Sequence, residues 1–435
     1  MDIGVGETGY EVERDGVVLG SVGADATSFT DPDLAISTEP LSYRVRTTGS
    51  SGKSDWSESV SVTVDFPSLV NTAIVTDNSD GFGRLNDPNG VSTVRIGQST
   101  YALVGSQLDN GVQIMDITNP AVPTPTANLS DGVDGYERLD NANSVATVTI
   151  DSSVYALVSA GGDGVQIIDI SDPSDPSPTA SVPGVLISPI DVETINIGSS
   201  VYALVAAFAG DGLQIVDITN PASPSQTAVP RDGTVFTALD AATDVETVAI
   251  GDATYALVTA ASDDGVQIID ITDPSNPTAT AAVTDGNDGF DMLDEARDLS
   301  IETIGSSTYA FVAASLDDGV QIIDISNPVN PTAVASVTDE QGGYDELDGA
   351  WGITTVSIGA SWFAFVPGAY DKGLQVIDIS DPDNPLPVTS IAEGQGGFNT
   401  FSGAKKVTSV TIDSSLYVLV TLGNDDSVQI IGFDW

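Results

Sequence analysis

The sequence of 435 residues predicts an all-β protein that consists mostly of one repeated, four-stranded unit. The stretch Gly265–Pro274, which reads GVQIIDITDP, recurs at a nearly fixed interval along the chain. Runs rich in Val, Ile, Thr and Tyr alternate with Gly, Asp and Pro turns, as is typical of β-sheet. No segment shows an apolar period of 3.6 residues over a useful length, so we expect almost no helix.

The interval can be measured on the aspartate of the repeated stretch, which falls at Asp116, Asp169, Asp217, Asp270, Asp324 and Asp378. The steps are therefore 53, 48, 53, 54 and 54 residues. One unit contains the predicted strands Leu299–Ile304, Thr308–Ala313, Gly319–Ile325 and Pro331–Val337. Four strands in a unit of this length are typical of a β-propeller blade.

The second strand of the unit counts the copies, because each copy carries one aromatic residue at the same place. The series has seven members: Tyr101, Tyr155, Tyr202, Tyr255, Tyr309, Phe363 and Tyr417. The seventh unit ends after its third strand at Trp435, whereas Asn71–Asp77 precedes the first unit and matches a fourth strand. We therefore predict a closed seven-bladed β-propeller over residues 69–435, with the N-terminal strand completing the last blade, since closure removes two open strand edges.

Residues 1–66 lie outside the repeat and read as short antiparallel strands, Tyr10–Arg14, Val17–Leu19, Tyr43–Arg46 and Ser59–Val64, with a bend at Phe29–Leu34. Their order, with Tyr43 at the corner position and the GKSDWSESV segment around Trp56, resembles the C-terminal part of a fibronectin type III domain. We predict a partial sandwich of this type. The two missing strands would lie upstream in a longer chain or come from a neighbouring subunit.

The motif YALV followed by GVQIIDITDP resembles the LVIVD-repeat family of β-propellers over about residues 69–435. The resemblance implies an extracellular or cell-surface protein of bacteria or archaea, because such repeats are found there beside fibronectin-like modules. It also implies no general enzymatic activity, since the family has no shared catalytic residues. Met1–Gly4 has neither a charged nor an apolar leader segment, so an export signal is expected on a part of the protein not shown.

Composition excludes several classes of function. Twelve basic residues oppose 63 acidic ones, for a net charge of −51, which disfavours binding to nucleic acid and to anionic membranes. The chain contains no cysteine and no histidine, which removes disulfides, thiolate sites and histidine-based catalysis. No apolar run approaches the ~18 residues of a membrane-spanning helix.

Two sets of acidic residues are candidate sites. The six repeated aspartates are expected to fix the turn that follows each third strand, because an aspartate before a Ser/Thr-x-Pro turn can accept backbone N–H bonds. The loops between units are also acidic, and Asp285, Asn287, Asp291 and Asp294 are spaced densely enough to form a calcium site. The alternative is a solvated acidic loop. The loop before the third unit is replaced by Pro183–Pro189.

One aromatic residue recurs in these loops, at Phe82, Tyr136, Phe236, Phe290, Tyr344 and Phe398. We expect these rings to fill the gaps between blades, rather than to form an exposed carbohydrate-binding surface. The predicted function is a non-catalytic surface module for structure, adhesion or protein interaction, which could be the repeating subunit of a polymer or filament. A calcium- or glycan-binding module is the alternative, and a carboxylate-dependent hydrolase is less favoured. Partners would be other proteins, or copies of the chain joined through the N-terminal sandwich.

Overall fold

The computed structural model describes residues 7–31, 37–162, 164–183 and 186–434. Within these ranges the regular structure consists of strands, and no residue is helical. No described segment therefore forms a helix that is long and apolar enough to cross a membrane. The chain divides into two compact units at Ser68/Leu69, except that Ser357–Trp362 are grouped with the first unit.

The first unit contains one antiparallel sheet of five strands, β1 (Glu7–Arg14), β2 (Val17–Gly23), β3 (Ser37–Gly49), β4 (Gly52–Lys53) and β5 (Val60–Val64). The strand order is β2-β1-β3-β4, and β5 pairs with the N-terminal part of β3. Ion pairs link the strands, and Arg46 forms one with Glu11 at 2.7 Å and lies 4.2 Å above the ring of Trp56. Of the predicted bend at Phe29–Leu34, residues 32–34 lie outside the described part of the chain.

The second unit contains seven four-stranded sheets, numbered here sheet 1 to sheet 7 in chain order. The first strands are β7 (Pro88–Ile96), β11 (Ala142–Ile150), β15 (Pro189–Ile197), β19 (Ala242–Ile250), β23 (Ala296–Ile304), β27 (Thr354–Ile358) and β31 (Ala404–Ile412). The second strands are β8 (Ser99–Ser106), β12 (Ser153–Ala160), β16 (Ser200–Ala207), β20 (Ala253–Ala260), β24 (Ser307–Ala314), β28 (Ser361–Gly368) and β32 (Ser415–Leu422).

The third strands begin at the repeated glycine in six of the sheets. They are β9 (Gly111–Asp116), β13 (Gly164–Asp169), β17 (Gly212–Asp217), β21 (Gly265–Asp270), β25 (Gly319–Asp324), β29 (Gly373–Asp378) and β33 (Ser427–Asp434). The fourth strands are β10 (Thr124–Ser130), β14 (Ser177–Pro183), β18 (Ser225–Ala228), β22 (Thr278–Thr284), β26 (Thr332–Thr338) and β30 (Leu386–Ala392). In sheet 7 the fourth strand is β6 (Ser68–Thr76), from the other end of the unit.

The core lies between neighbouring sheets, because the second and third strands are buried on both faces. In sheet 4, for example, Leu257 and Ile269 are almost completely buried, and they belong to different apolar layers. One apolar cluster joins sheet 7 to sheet 1 and includes Val75, Met115 and Leu419. The first strands of neighbouring sheets lie side by side and form the inner edge of the array, and their polar side chains form the site described next.

Candidate functional site

The six repeated aspartates lie in six separate turns. Each accepts a hydrogen bond on Oδ1 from the backbone N–H two residues later, at 2.8–2.9 Å. The donors are the Ser or Thr residues that follow, and the side-chain oxygen of Thr272, for instance, accepts a bond from the Thr254 N–H in the second strand. Each aspartate therefore ties the end of its own third strand, and the six do not meet in one place.

The loop face is the edge that carries two kinds of loop: those joining second to third strands, and those joining each sheet to the next. Its carboxylates bind backbone N–H groups. In the loop before sheet 5, Asp285 accepts from the N–H of Leu293 at 3.2 Å, and Asp317 accepts from the N–H of Asp294 at 2.8 Å. Asp264 accepts from the N–H of Glu295 at 3.1 Å and so links sheet 4 to sheet 5. Equivalent bonds recur around the face at Asp77, Asp131, Asp339, Asp371, Asp318 and Asp426.

These bonds also engage the residues of the calcium prediction. Asn287 donates to Thr284 Oγ1 at 2.9 Å, and the N–H of Asp291 donates to Gln321 Oε1 at 3.2 Å. Burial, followed by the nearby Asp264 carboxylate, raises the pKa of Asp294 above its ordinary value. Over the described ranges, no group of three or more Asp or Glu residues is arranged to hold a metal ion. The geometry adds no support to the calcium prediction.

Five of the six recurring loop aromatics are buried, and the sixth, Phe236, is half-buried and packs against an apolar cluster. Phe82, Tyr136, Phe290, Tyr344 and Phe398 are buried. The hydroxyl groups of Tyr136 and Tyr344 donate to the carbonyl oxygens of Pro176 and Pro385, at 2.6 and 2.8 Å. Rings in this position provide packing between sheets and present little stacking surface to a sugar.

The first strands of all seven sheets line a cavity of about 460 Å³, called here the inner cavity. Two alternate positions on each strand contribute to it. The first holds Gly90, Ser144, Asp191, Asp244, Asp298 and Lys406, with Gly352 at the equivalent place just before β27, and the second holds Ser92, Ala146, Glu193, Glu246, Ser300, Thr354 and Thr408. The acids fall on sheets 3, 4 and 5, whereas the lysine is on sheet 7. The inner cavity is thus the place where the repeat loses its regularity.

Steric crowding explains why two positions of this series are glycine. A Cβ atom on Gly90 would lie 2.5 Å from the carbonyl oxygen of Asn143, and one on Gly352 would lie 2.3 Å from that of Lys405. Real Cβ atoms do not approach a carbonyl so closely, so sheets 1 and 6 accept only glycine at this place. The backbone of the next sheet occupies the space that a side chain would need.

Lys406 is the cation of the inner cavity, and it bridges two carboxylates. Its Nζ donates to Asp244 Oδ1 at 2.7 Å and to Asp298 Oδ1 at 2.6 Å. The other oxygen of each acid accepts a backbone N–H from the next sheet, from Leu299 to Asp244 at 3.2 Å and from Ile353 to Asp298 at 2.9 Å. Asp191 accepts from Val245 in the same way, so a chain of hydrogen bonds links sheets 3 to 6.

Burial raises the pKa values of the acids in the inner cavity, and mutual repulsion adds to the effect. The pKa of Asp191 is raised to about 6 by burial and then by Asp244, and that of Asp244 to about 7 by burial and then by Asp298. Burial and then Asp191 raise the pKa of Glu193 to about 8. The pKa of Glu246 lies well above its ordinary value for the same reasons.

For Lys406, burial and the neighbouring charges shift the pKa in opposite directions. Burial alone would lower the pKa of Lys406, but Asp244, Asp298 and Asp191 together raise it well above its ordinary value. Lys406 is therefore charged at any physiological pH. The acids outnumber it, so the inner cavity has a negative potential that its own lysine does not cancel.

A second cavity of about 260 Å³ adjoins the first, and the two share Gly90, Ser144 and Lys406. It lies toward the loop face and is called here the mouth. The guanidinium group of Arg297 lies over the ring of Trp351, 4.3 Å from its centroid. Burial lowers the pKa of Arg297. Phe208, Ile190 and the amides of Asn89 and Asn143 complete the lining, with Asn89 donating to Asn143 at 3.1 Å.

The sequence-based search for sites missed the inner cavity, although a signal for it was present. Asp191, Asp244 and Asp298 follow one another at steps of 53 and 54 residues, which is the period of the repeat. The same position holds Gly90 in the first copy and Lys406 in the last. A position-by-position alignment of the copies distinguishes this charged set, because the residue at this position differs between copies while its neighbours follow the repeat.

Comparison with known proteins gives a family match within the repeats and a likeness in fold. The model of the LVIVD repeat matches residues 99–129, 152–182, 199–228, 250–285, 295–339 and 363–392. Among curated protein sequences, none matches the chain. Because the solved structures similar to it are at most 15% identical in the cases described below, they bear on fold alone.

Three solved structures illustrate the likeness. A protein of unknown function from Desulfotomaculum acetoxidans has 14% identity and a TM-score of 0.50, over 74% of this chain and 92% of its own. A protein from Lactobacillus plantarum has 15% identity and a TM-score of 0.55, over 79% and 90%. A 6-phosphogluconolactonase candidate from Bacteroides uniformis has 14% identity and a TM-score of 0.56, over 77% and 92%. With its repeated four-stranded sheets and propeller-like fold, this chain carries six copies of the LVIVD repeat across residues 99–392.

Proposed function

We propose that the chain is a non-catalytic module for structure and protein interaction on a microbial cell surface, in which residues 69–435 form a closed seven-bladed propeller. The observation that carries the proposal is that carboxylates of the loop face accept hydrogen bonds from backbone N–H groups of the loops. Around the array they bind backbone N–H groups, as Asp285 and Asp317 do. Acidic loops that are held in this way form a rigid surface, which suits a binding and building element.

Closure of the ring is supported by contacts between the last sheet and the first. Asp426 Oδ1 accepts from the N–H of Asp87 at 3.0 Å, as Asp264 does from Glu295 at an interior junction. Thr421 Oγ1 of sheet 7 donates to the carbonyl oxygen of Asn89 in sheet 1 at 2.8 Å. A closed array protects the strand edges that an open one would leave free.

The first unit is proposed to be part of a fibronectin type III-like sandwich and to carry the contact between subunits. Its sheet exposes apolar side chains at Val17 and Val60, each 64% exposed. It also contains four of the twelve basic residues, Arg14, Arg44, Arg46 and Lys53. A second copy could cover these exposed apolar side chains and remove them from water.

Sedimentation velocity tests the assembly. The full chain would be examined from about 1 to 100 µM in 0.1 and 1 M NaCl, because screening at the higher salt weakens repulsion between copies. We expect concentration-dependent larger species that are lost when Val17 and Val60 are both changed to Ser. The matched control is Val122→Ser with Val329→Ser, which removes two equally exposed valines from the repeat unit. A monomer of 44.6 kDa under all conditions would sink the polymer proposal.

The surface location has its own test. Intact source cells would be treated with a protease, and an antibody against residues 69–435 would follow the protein. Loss of the signal from intact cells, with an internal marker protein preserved, is the expected result. Protection of the protein until the cells are lysed would contradict an extracellular role.

A carboxylate-dependent hydrolase is the second candidate function. The observation that favours it is the raised pKa values of the acids in the inner cavity. Asp244 and Glu193, near 7 and 8, could exchange protons at neutral pH. The test is hydrolysis of a panel of chromogenic glycosides and esters by the full chain and by Glu193→Gln. Turnover that the substitution abolishes would establish an enzyme, and equal background rates for both proteins would remove this candidate.

A further inference from the structure

Large apolar side chains are exposed in the loops of the loop face. Leu108 and Leu316, at 68% and 60% exposed, and Tyr370, at 65%, occupy the same turn in sheets 1, 5 and 6. Ile187 and Val235, at 70% and 67%, lie in the loops before sheets 3 and 4. Exposed large apolar residues mark a contact surface, because water is released when they are covered.

The mouth continues this surface inward. Phe208 is 37% exposed, and it lines the mouth together with Trp351 and Arg297. A ring, an indole and the flat face of a guanidinium group favour aliphatic or aromatic side chains as neighbours. The apolar rim, defined as Leu108, Ile187, Val235, Leu316 and Tyr370, and the mouth both lie toward the loop face, where a partner larger than a small molecule could reach both.

Charge complementarity identifies the occupant. The inner cavity behind the mouth holds Asp191, Glu193 and Glu246, which form no ion pair with any described residue, since Lys406 pairs with Asp244 and Asp298. The two glutamates are mostly protonated at pH 7.5, and a cation that enters the cavity would be bound with release of their protons. The loop face itself is acidic, and the whole chain carries a net charge of −51. A second copy of the chain would be repelled here, whereas a basic partner would be attracted and guided to the mouth.

We infer that the loop face docks a basic segment of a partner protein, with one lysine or arginine side chain entering the mouth toward the inner cavity and its apolar neighbours resting on the rim. The long aliphatic stem of such a side chain can lie against Trp351 while its charged end approaches Glu193 and Glu246. The inference rests on the proposed interaction function and specifies the chemistry of the partner.

The test uses the full chain and a displayed library of random 12-residue peptides, selected at pH 7.5 in 0.15 M NaCl. We expect enrichment of peptides that place a lysine or arginine beside apolar residues. Synthetic copies should bind at least 10-fold more weakly when norleucine replaces the basic residue. Failure to enrich any peptide, or enrichment of peptides without a basic residue, would overturn the inference.

Substitutions in the protein locate the contact. Glu193→Gln with Glu246→Gln should weaken the selected peptides at least 10-fold. The matched control is Asp151→Asn with Asp413→Asn, which removes the same charge from exposed turns between first and second strands, away from the loop face, and should change nothing. Equal binding to both double variants would place the peptides elsewhere and refute the inference.

A second pair of variants tests the rim. Leu316→Ser should weaken binding about 5-fold, whereas Val329→Ser, an equally exposed change in the turn between third and fourth strands, should not. Butylamine provides a small-cation arm, and if it bound as tightly as the peptides, the site would take small amines and not a protein. If no peptide binds but the protein is found on the cell surface, only this inference fails. If the protein is absent from the cell surface, the proposed function fails.

Discussion

Removal of one half-buried carboxylate, that of Glu193, should make the protein more stable. In the inner cavity the pKa of Glu193 is raised to about 8, against 4.5 for an ordinary glutamate. A group with a raised pKa in the folded state lowers stability above that pKa and has no such effect below its unfolded value. Glutamine cannot ionise, so Glu193→Gln removes this pH-dependent cost. The substitution should therefore raise the free energy of unfolding at pH 8 and change it little at pH 4.5.

The size of the effect follows from the two pKa values. Integration between them gives about 3 kcal/mol at pH 7 and about 1 kcal/mol at pH 5, as upper values, because Glu246 can take over part of the repulsion. For an unfolding unit of this length, about 3 kcal/mol corresponds to a Tm increase of about 4 °C.

Thermal unfolding at pH 5, 6, 7 and 8, at constant ionic strength, would measure this difference. Glu137→Gln is the control, because Glu137 is an exposed loop glutamate and its substitution removes the same charge. We expect the gain from Glu193→Gln to grow steadily with pH and the control to stay within about 1 °C. A gain that does not depend on pH, or a loss of stability at pH 8, would refute the reasoning.

Three further predictions concern the same unit. Lys406→Met leaves Asp244 and its neighbours without a cation and should cost about 3 kcal/mol at pH 7; Lys372→Met, which removes an exposed lysine paired with Glu393, should cost about 1 kcal/mol or less, and equal losses in Tm would contradict this role. Asp426→Ala and Asp264→Ala should cost the same, about 1–2 kcal/mol each in urea unfolding, whereas an open array would leave Asp426→Ala nearly neutral. Raising NaCl from 0.1 to 1 M should raise the Tm, because the Debye length falls from ~10 to ~3 Å; a lower Tm would contradict repulsion as the main effect of the charge.

The regular part of the fold was predictable because it depends on local pattern. Alternating apolar residues, and a turn after each Asp270-like position, specify strands and their order without knowledge of distant contacts. The fourth strand of sheet 7 was also accessible, since Asn71–Asp77 matches a fourth strand in composition. Its pairing with β33 in the structure joins two ends of the unit that are about 350 residues apart in the chain.

The sites were harder to predict because they depend on what surrounds a carboxylate. On composition the loop acids predict calcium ligands, and the calcium site stays a prediction. The backbone N–H groups that some of these acids bind, such as that of Leu293 bound by Asp285, cannot be read from a sequence. Conversely, Asp191 and Glu193 look like the polar half of an ordinary alternating strand. Only the meeting of seven first strands shows that these residues face one another and not solvent.

The same residue type therefore has opposite energetic effects in the two places. A loop carboxylate such as Asp339 meets a backbone N–H at 3.0 Å, and the bond helps to hold the loop. In the inner cavity the backbone supplies too few donors, so repulsion between Asp191, Glu193 and Glu246 remains and their pKa values rise. A protein can relieve that repulsion by proton uptake or by binding a cation. The second route favours a basic partner over a neutral one, and its contribution should vanish when Glu193 and Glu246 are made neutral.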